Sequence, residues 1–212
     1  MGTSLGPTFA NFYMCNLENK IFNNNPQLKL KVYCRYVDDI LLVLDSFEEL
    51  TVIKDIFQDN SILNFTFEIE TTKKISFLDT LITRKKQNLD TTVFTKSTST
   101  GECLNYISIC PERYKIAVIK NFLHRAFNIC STWNAFHSEL LRIQQLLVDN
   151  NFPNTVIEKT IQIFLLNKGK EQQKSNNSIE NVSGDANTYN RNSSTASAVN
   201  TWGRMHKIHS LR

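Results

Sequence analysis

The chain reads as an α+β protein: a strand-rich front over about residues 1–100, a helical unit over 101–167, and a polar tail over 168–212. Three observations predict this. Two apolar stretches, 30–37 and 40–44, flank an Asp-Asp pair and have the composition of a hairpin. After Pro111 the apolar residues change to a helical repeat. From Lys168 onward, KGKEQQKSNNSIENVSGDANTYNRNSSTASAVN is too poor in apolar residues to offset the entropy of ordering it, so 168–212 is expected to be disordered.

Element by element, Pro7 suits the first turn of a helix. Phe9, Phe12, Tyr13, Leu17 and Ile21 then recur at helical spacing, giving a helix over about 7–22. Asn23-Asn24-Asn25-Pro26 stops it. The strands 30–37 and 40–44 follow, joined tightly through Asp38-Asp39. Ser46 and Glu49 have capping-box spacing and open a helix with Phe47, Leu50, Ile53, Ile56 and Phe57 on one face. Segments 65–70, 75–83 and 91–95 read as further strands. Three helices are expected over roughly 112–130, 133–150 and 153–167, the second capped by Ser131 or Thr132.

Charge is uneven along the 212 residues. The total is +4, but residues 1–70 carry 5 basic and 10 acidic side chains, whereas 71–130 carry 10 basic and 4 acidic. An acidic region followed by a basic one fits either ordinary fluctuation or a metal-binding surface beside a polyanion-binding one. The sequence contains no run of 18 apolar residues, and residues 1–15 lack the basic and apolar regions of a secretory signal. Five widely spaced cysteines without a CxxC pair argue against a disulfide or zinc framework. An intracellular location, with the nucleus as one option, is therefore expected, and secretion is not.

The sharpest chemical feature is Tyr36-Val37-Asp38-Asp39. Adjacent Asp residues in a turn by themselves usually mean only a turn that tolerates Asp. Here the following run, Ile40 to Leu44, is apolar throughout, as in a strand buried on both faces. Two carboxylates at the end of such a strand form a hard oxygen site suited to Mg²⁺. Two-ion phosphoryl-transfer sites use carboxylates to hold ions roughly 3.5–4 Å apart.

YVDD, preceded by Arg35 and followed by ILLV, resembles the catalytic hairpin of reverse transcriptases. Residues 2–11, GTSLGPTFAN, resemble the loop-and-helix motif that precedes that hairpin in the same enzymes. FLDTLITRK at 77–85, VFTKST at 93–98, Tyr106-Ile107-Ser108 and ERYKIAVIKNFLHRAFNIC at 112–130 resemble the Penelope-like retroelements and related animal reverse transcriptases. The resemblance covers about 1–160. It implies a partial palm over 1–100 and a helical, helix-turn-helix-like thumb over 101–167.

The implied activity is RNA-directed addition of deoxynucleotides to a primer 3′-OH with two Mg²⁺ ions. The implied partners are an RNA template, a DNA primer and deoxynucleoside triphosphates. By the same resemblance Asp38 is a catalytic metal ligand and Asp39 its support, with Tyr36 and Val37 completing the active-site hairpin. Gly2, Ser4, Leu5 and Pro7 would shape the loop facing template and nucleotide, where small residues let backbone come close.

Lys73, Lys74, Phe77, Leu78, Arg84 and Lys96 fall in the region implied to grip the primer, and Lys115, Lys120 and Arg125 in the thumb. Phe77 and Leu78 read as hairpin core rather than direct contacts. The basic residues suit phosphate contact, though each could equally sit on a solvated face. Such polymerases need a further Asp on a strand before the loop motif, and the sequence given opens at that loop. It is therefore expected to be an incomplete polymerase, inactive alone. A non-catalytic nucleic-acid-binding module is the alternative. The apolar stripe Ile116, Ile119, Leu123 and Phe127 reads as core.

Overall fold

A computed structural model describes residues 4–28, 30–86, 88–180 and 204–211, with the side chains of 172–180, 204 and 209–211 left out of account. The chain divides into two compact units, Met1–Leu89 with Ser194–Arg212, and Asp90–Ser193. Both α and β elements are present, and the paired strands are antiparallel.

The first unit opens with α1 (Gly6–Asn24), with Pro in its first turn and no side-chain cap at Leu5. Only one stripe of α1 is buried, Met14, Leu17 and Ile21. Phe9 and Phe12 lie on the exposed side. A two-residue turn then joins β1 (Val32–Tyr36) to β2 (Asp39–Leu44), with Tyr36 opposite Asp39 and Val32 opposite Val43. From Ile40 to Leu44 every residue of β2 is buried, because Met14, Leu17, Ile21, Leu50, Ile53 and Phe57 cover one face and Ile75 and Ile82 the other. This is the two-sided burial that the apolar run predicts.

Helix α2 (Phe47–Asp59) begins with the expected capping box. Ser46 Oγ accepts from the Glu49 amide, and the Glu49 carboxylate accepts from the Ser46 amide. Leu50, Ile53 and Phe57 of the predicted face join Ile40, Leu42, Leu44 and Phe65 in the core, with Ile56 packed against them, whereas Phe47 is exposed. β3 (Asn64–Ile69) follows.

The stretch 75–83, which reads as one strand, is two. β4 (Lys74–Phe77) and β5 (Thr80–Arg84) pair across a turn at Leu78-Asp79. Neither glycine nor proline marks the turn, so the sequence conceals it, and Leu78 turns the chain at φ 54°. β6 (Leu89–Val93) carries the chain from the first unit into the second.

The second unit contains α3 (Glu112–Ile129), α4 (Trp133–Asp149) and α5 (Asn154–Glu180). Thr132 caps α4, its hydroxyl accepting from the Ala135 amide. The core joins Ile119, Leu123 and Ala126 of α3 to Phe136, Leu140, Ile143 and Leu147 of α4, and to Ile157, Ile161 and Phe164 of α5. Ile119 and Leu123 of the anticipated stripe are fully buried, and Phe127 packs at the margin.

The disordered tail expected over 168–212 is corrected at both ends. α5 continues through Lys168 to Glu180, since Lys, Glu and Gln are good helix formers and composition alone does not register that. At the far end, Arg204–Leu211 forms β7, hydrogen-bonded between β2 and β3 to give the order β1-β2-β7-β3. Residues 181–203 lie outside the described residues.

Candidate functional site

In the first unit the Asp pair stands at the turn of the β1–β2 hairpin. Asp38 is in the turn itself and Asp39 is the first residue of β2, both half-buried. Val37, the first turn residue, has φ 55°. A β-branched residue in the left-handed region is strained, and such strain costs about 1–3 kcal/mol. The neighbouring structure therefore has to hold the turn in place.

Arg35 does this. Its guanidinium donates to the Val37 carbonyl at 3.0 Å, to Asn11 Oδ1 at 2.9 Å and to Cys15 Sγ at 3.3 Å. It also forms a close ion pair with Glu18, through Nε to Oε1 and through Nη2 to Oε2 at 3.2 Å. The Tyr33 hydroxyl donates to Glu18 Oε1 at 2.5 Å. Asn11, Cys15 and Glu18 are spaced i, i+4, i+7, so they form one polar stripe on α1 beside the apolar stripe of Met14, Leu17 and Ile21.

Burial, and then the bond to Glu18, drive the Tyr33 phenol far above its ordinary value of 10. Burial alone would lower the Arg35 guanidinium, but the Glu18 hydrogen bond and charge outweigh it and raise it. Sequence reading missed this network. Its available signal was the 11, 15, 18 spacing of polar residues one helix before Arg35.

Beside the turn is a cavity of about 280 Å³, lined by Ala10, Tyr13 and Met14 of α1, Val37 and Asp38, and Ile62 and Leu63. Its wall is mainly apolar, with the Asp38 carboxylate as the charged group. Among the described residues no group of three or more His, Cys, Asp or Glu side chains could hold a metal ion. Asp38 and Asp39 on their own do not make up the donor set of a two-ion site, which shares several carboxylates between its ions. The Mg²⁺ pair that the resemblance implies would take Asp38 and Asp39 and needs further oxygen donors besides them.

Of the loop residues, Ser4, Leu5 and Pro7 are exposed at the start of α1, and Gly2 lies outside the described residues. Tyr36 is exposed beside the turn. Of the grip residues in the first unit, Lys73, Lys74 and Arg84 come together at one end of the β4–β5 hairpin, where the Arg84 amide donates to the Lys73 carbonyl at 2.8 Å. Lys73 and Lys74 are exposed at the β3–β4 turn, where Thr72 and Lys73 both have positive φ. Phe77 and Leu78 stand at the other end of β4. Phe77 packs against the cluster of Leu41, Val43, Ile75, Ile82 and Met205, while Leu78 is 39% exposed. Arg84 is clamped by Glu70, its Nε bonding both carboxylate oxygens at 3.2 Å.

The remaining predicted contacts are in the second unit. Lys96 and Lys120 are exposed, Lys115 lies 4.6 Å over the Tyr106 ring, and Arg125 donates to the Phe94 carbonyl at 3.3 Å. The turn from α4 to α5 is Asn150-Asn151-Phe152-Pro153, with Asn151 at φ 65° and Phe152 buried. Asn150 fastens it. Its side chain donates to the Gly101 and Leu146 carbonyls and accepts from the Cys103 amide, and its own carbonyl accepts from the Tyr106 amide.

Beyond the turn, α5 exposes Asn154, Thr155, Glu158, Lys159 and Gln162. Amide, hydroxyl, carboxylate and ammonium groups on one helix can meet base edges as well as phosphates. No helix among the described residues is long and apolar enough to cross a membrane.

Neither a curated protein nor a solved structure matches the chain. Residues 103–162, which span the segment before α3, then α3, α4 and the first turns of α5, match the family of the animal helix-turn-helix domain.

Proposed function

We propose that this chain is the palm and nucleic-acid-binding part of an RNA-directed DNA polymerase of the Penelope-like type. In the parent reaction a primer 3′-OH attacks the α-phosphorus of a deoxynucleoside triphosphate opposite an RNA template, and pyrophosphate leaves. The observation that carries the reading is the placement of Asp38 and Asp39. They stand at a strained two-residue turn, on a strand buried on both faces, with the turn held to α1 through Arg35.

Such a turn keeps carboxylates at a fixed position in front of a rigid sheet, which is what positioning an attacking and a leaving oxygen requires. Within that reading Tyr36, exposed beside the turn, lies on the nucleotide side, and Lys73 and Lys74 are candidate phosphate or pyrophosphate contacts. Two carboxylates are an incomplete donor set. The residues described here therefore bind nucleic acid without extending it, and polymerisation needs a further Asp-bearing strand. The test is Asp38→Asn in a polypeptide that also supplies that strand. Primer extension should be lost while primer–template affinity stays within about twofold; extension at the parental rate refutes the assignment.

A second reading has its own support. The match of residues 103–162 to the animal helix-turn-helix domain favours a non-catalytic nucleic-acid-binding module, with α5 as the helix that enters the groove and α4 crossing the backbone. Binding of duplexes by the full chain across a salt series discriminates. Phosphate contacts give a log–log slope of about −0.9 per contact, and absence of binding at low salt rejects the module.

A further inference from the structure

The strand at the centre of the first unit's sheet is the last one in the sequence. The chain leaves this unit at Leu89, builds the whole second unit, and returns to place β7 between β2 and β3. Ile208 lies in the helix-covered core with Ile40, Leu42 and Phe65, and Met205 packs on the opposite face with Leu41, Val43, Ile75 and Ile82. Without β7 both β2 and β3 would present an open edge, and two apolar layers would face a strand-wide gap. The gap is lined by contiguous sequence, residues 40–82, whereas its occupant is not contiguous with any of it.

The occupant is also imperfectly suited to the place. Its neighbour β2 is apolar from Ile40 to Leu44, yet β7 brings His206 and Lys207 into buried positions. Such side chains contribute less apolar burial than Val, Ile or Leu would at the same places, which weakens the hold of the strand relative to an apolar one. The link from Glu180 to Arg204 has 23 residues, enough to span roughly 75 Å when extended. A neighbouring molecule is therefore within reach, and the one strand known to fit the gap is present in every copy. Exchange of an identical element between copies needs little besides such a link.

We infer that the gap between β2 and β3 is a strand-acceptor site that takes β7 exchangeably, so that residues 204–211 of one copy complete the sheet of a second copy. The occupant's position 209 is in register with Asp39, so whichever molecule donates the strand also supplies a residue beside the acidic turn. This inference does not depend on the polymerase reading, since it concerns only which strand fills the sheet.

The probe is a fluorescent peptide of residues 204–211, tested on the full chain and on the full chain carrying Met205→Asp and Ile208→Asp, which disable its own strand. The variant should bind at least about tenfold more tightly than the parent, whose tethered strand competes at high effective concentration. A peptide carrying Ile208→Asp should bind neither. Equal binding to both proteins, or none to a variant that keeps its helical circular dichroism, overturns the inference.

A second measurement covers a variant that does not fold. In hydrogen exchange on the unmodified chain, amides of 205–211 should open at lower free energy than those of α2. The chain should also form a dimer whose fraction rises with concentration. A β7 that exchanges only with global unfolding, in a chain that stays monomeric, refutes exchangeability.

Discussion

Removing one side of the Arg35–Glu18 pair tests whether α1 holds the acidic turn. The two side chains are 10% and 14% exposed, so each is largely removed from water. Breaking such a pair from one side costs about 3–5 kcal/mol, because an uncompensated charge stays buried. For Glu18→Ala the lower end applies, since Asn11, the Val37 carbonyl and Cys15 still receive the guanidinium. The expected loss is about 3 kcal/mol. Arg35→Ala should cost a similar amount, because Glu18 keeps only the Tyr33 hydroxyl among these donors.

Replacing both residues by leucine removes both charges together and should cost about 1 kcal/mol or less. The double change is therefore expected to be far milder than the sum of the singles, by several kcal/mol. Urea unfolding followed by circular dichroism measures this, with the first unit's transition fitted separately from the second's. For a unit near 100 residues, about 3 kcal/mol lowers Tm by on the order of 12 °C. Single-variant losses below about 1 kcal/mol, or strict additivity, would refute the argument that this pair organises the hairpin.

Alkaline stability follows from Tyr33. Its folded pKa lies above the unfolded value near 10, so the contribution is complete below pH 10 and is lost as pH rises beyond it; Tyr33→Phe should flatten that limb of a pH–stability curve. Val37→Gly relieves a left-handed β-branched residue, so its loss of packing is partly offset and the change should stay within about 1 kcal/mol of the parent. Val32→Gly, at a half-buried strand position without strain, should cost about 2 kcal/mol by the same unfolding assay. Ser46→Ala breaks the capping box of α2 and should cost about 1 kcal/mol, again read by urea. Lys120→Ala should reduce the salt slope of duplex binding by about 0.9 if it meets a phosphate, whereas Gln162→Ala should change base preference and leave the slope alone.

Local chemistry was legible from the residues. The capping box at Ser46 and Glu49, the Thr132 cap, the hairpin around Asp38-Asp39 and the apolar stripe of α3 all depend on neighbours within a few positions, and periodicity reports those directly. The helix-turn-helix expectation rested on a resemblance in the same region that the family match covers. The turn at Leu78-Asp79 escaped because no glycine or proline marks it.

What the tertiary structure alone decided is of longer range. Glu18 and Arg35 find each other across 17 positions, and Asn150 ties the segment around Cys103 across 47. Ile208 meets Ile40 across most of the chain. A strand such as 204–211, with two basic residues and two histidines, carries no pattern of its own that places it in a core. Its burial is imposed by the open edges of β2 and β3, whose unpaired amides and carbonyls and exposed apolar faces are more costly to leave bare than His206 and Lys207 are to bury. Neighbouring residues thus determined the caps, the β1–β2 hairpin and the apolar stripe of α3, while hydrogen-bond demand along one sheet determined which segment completed it.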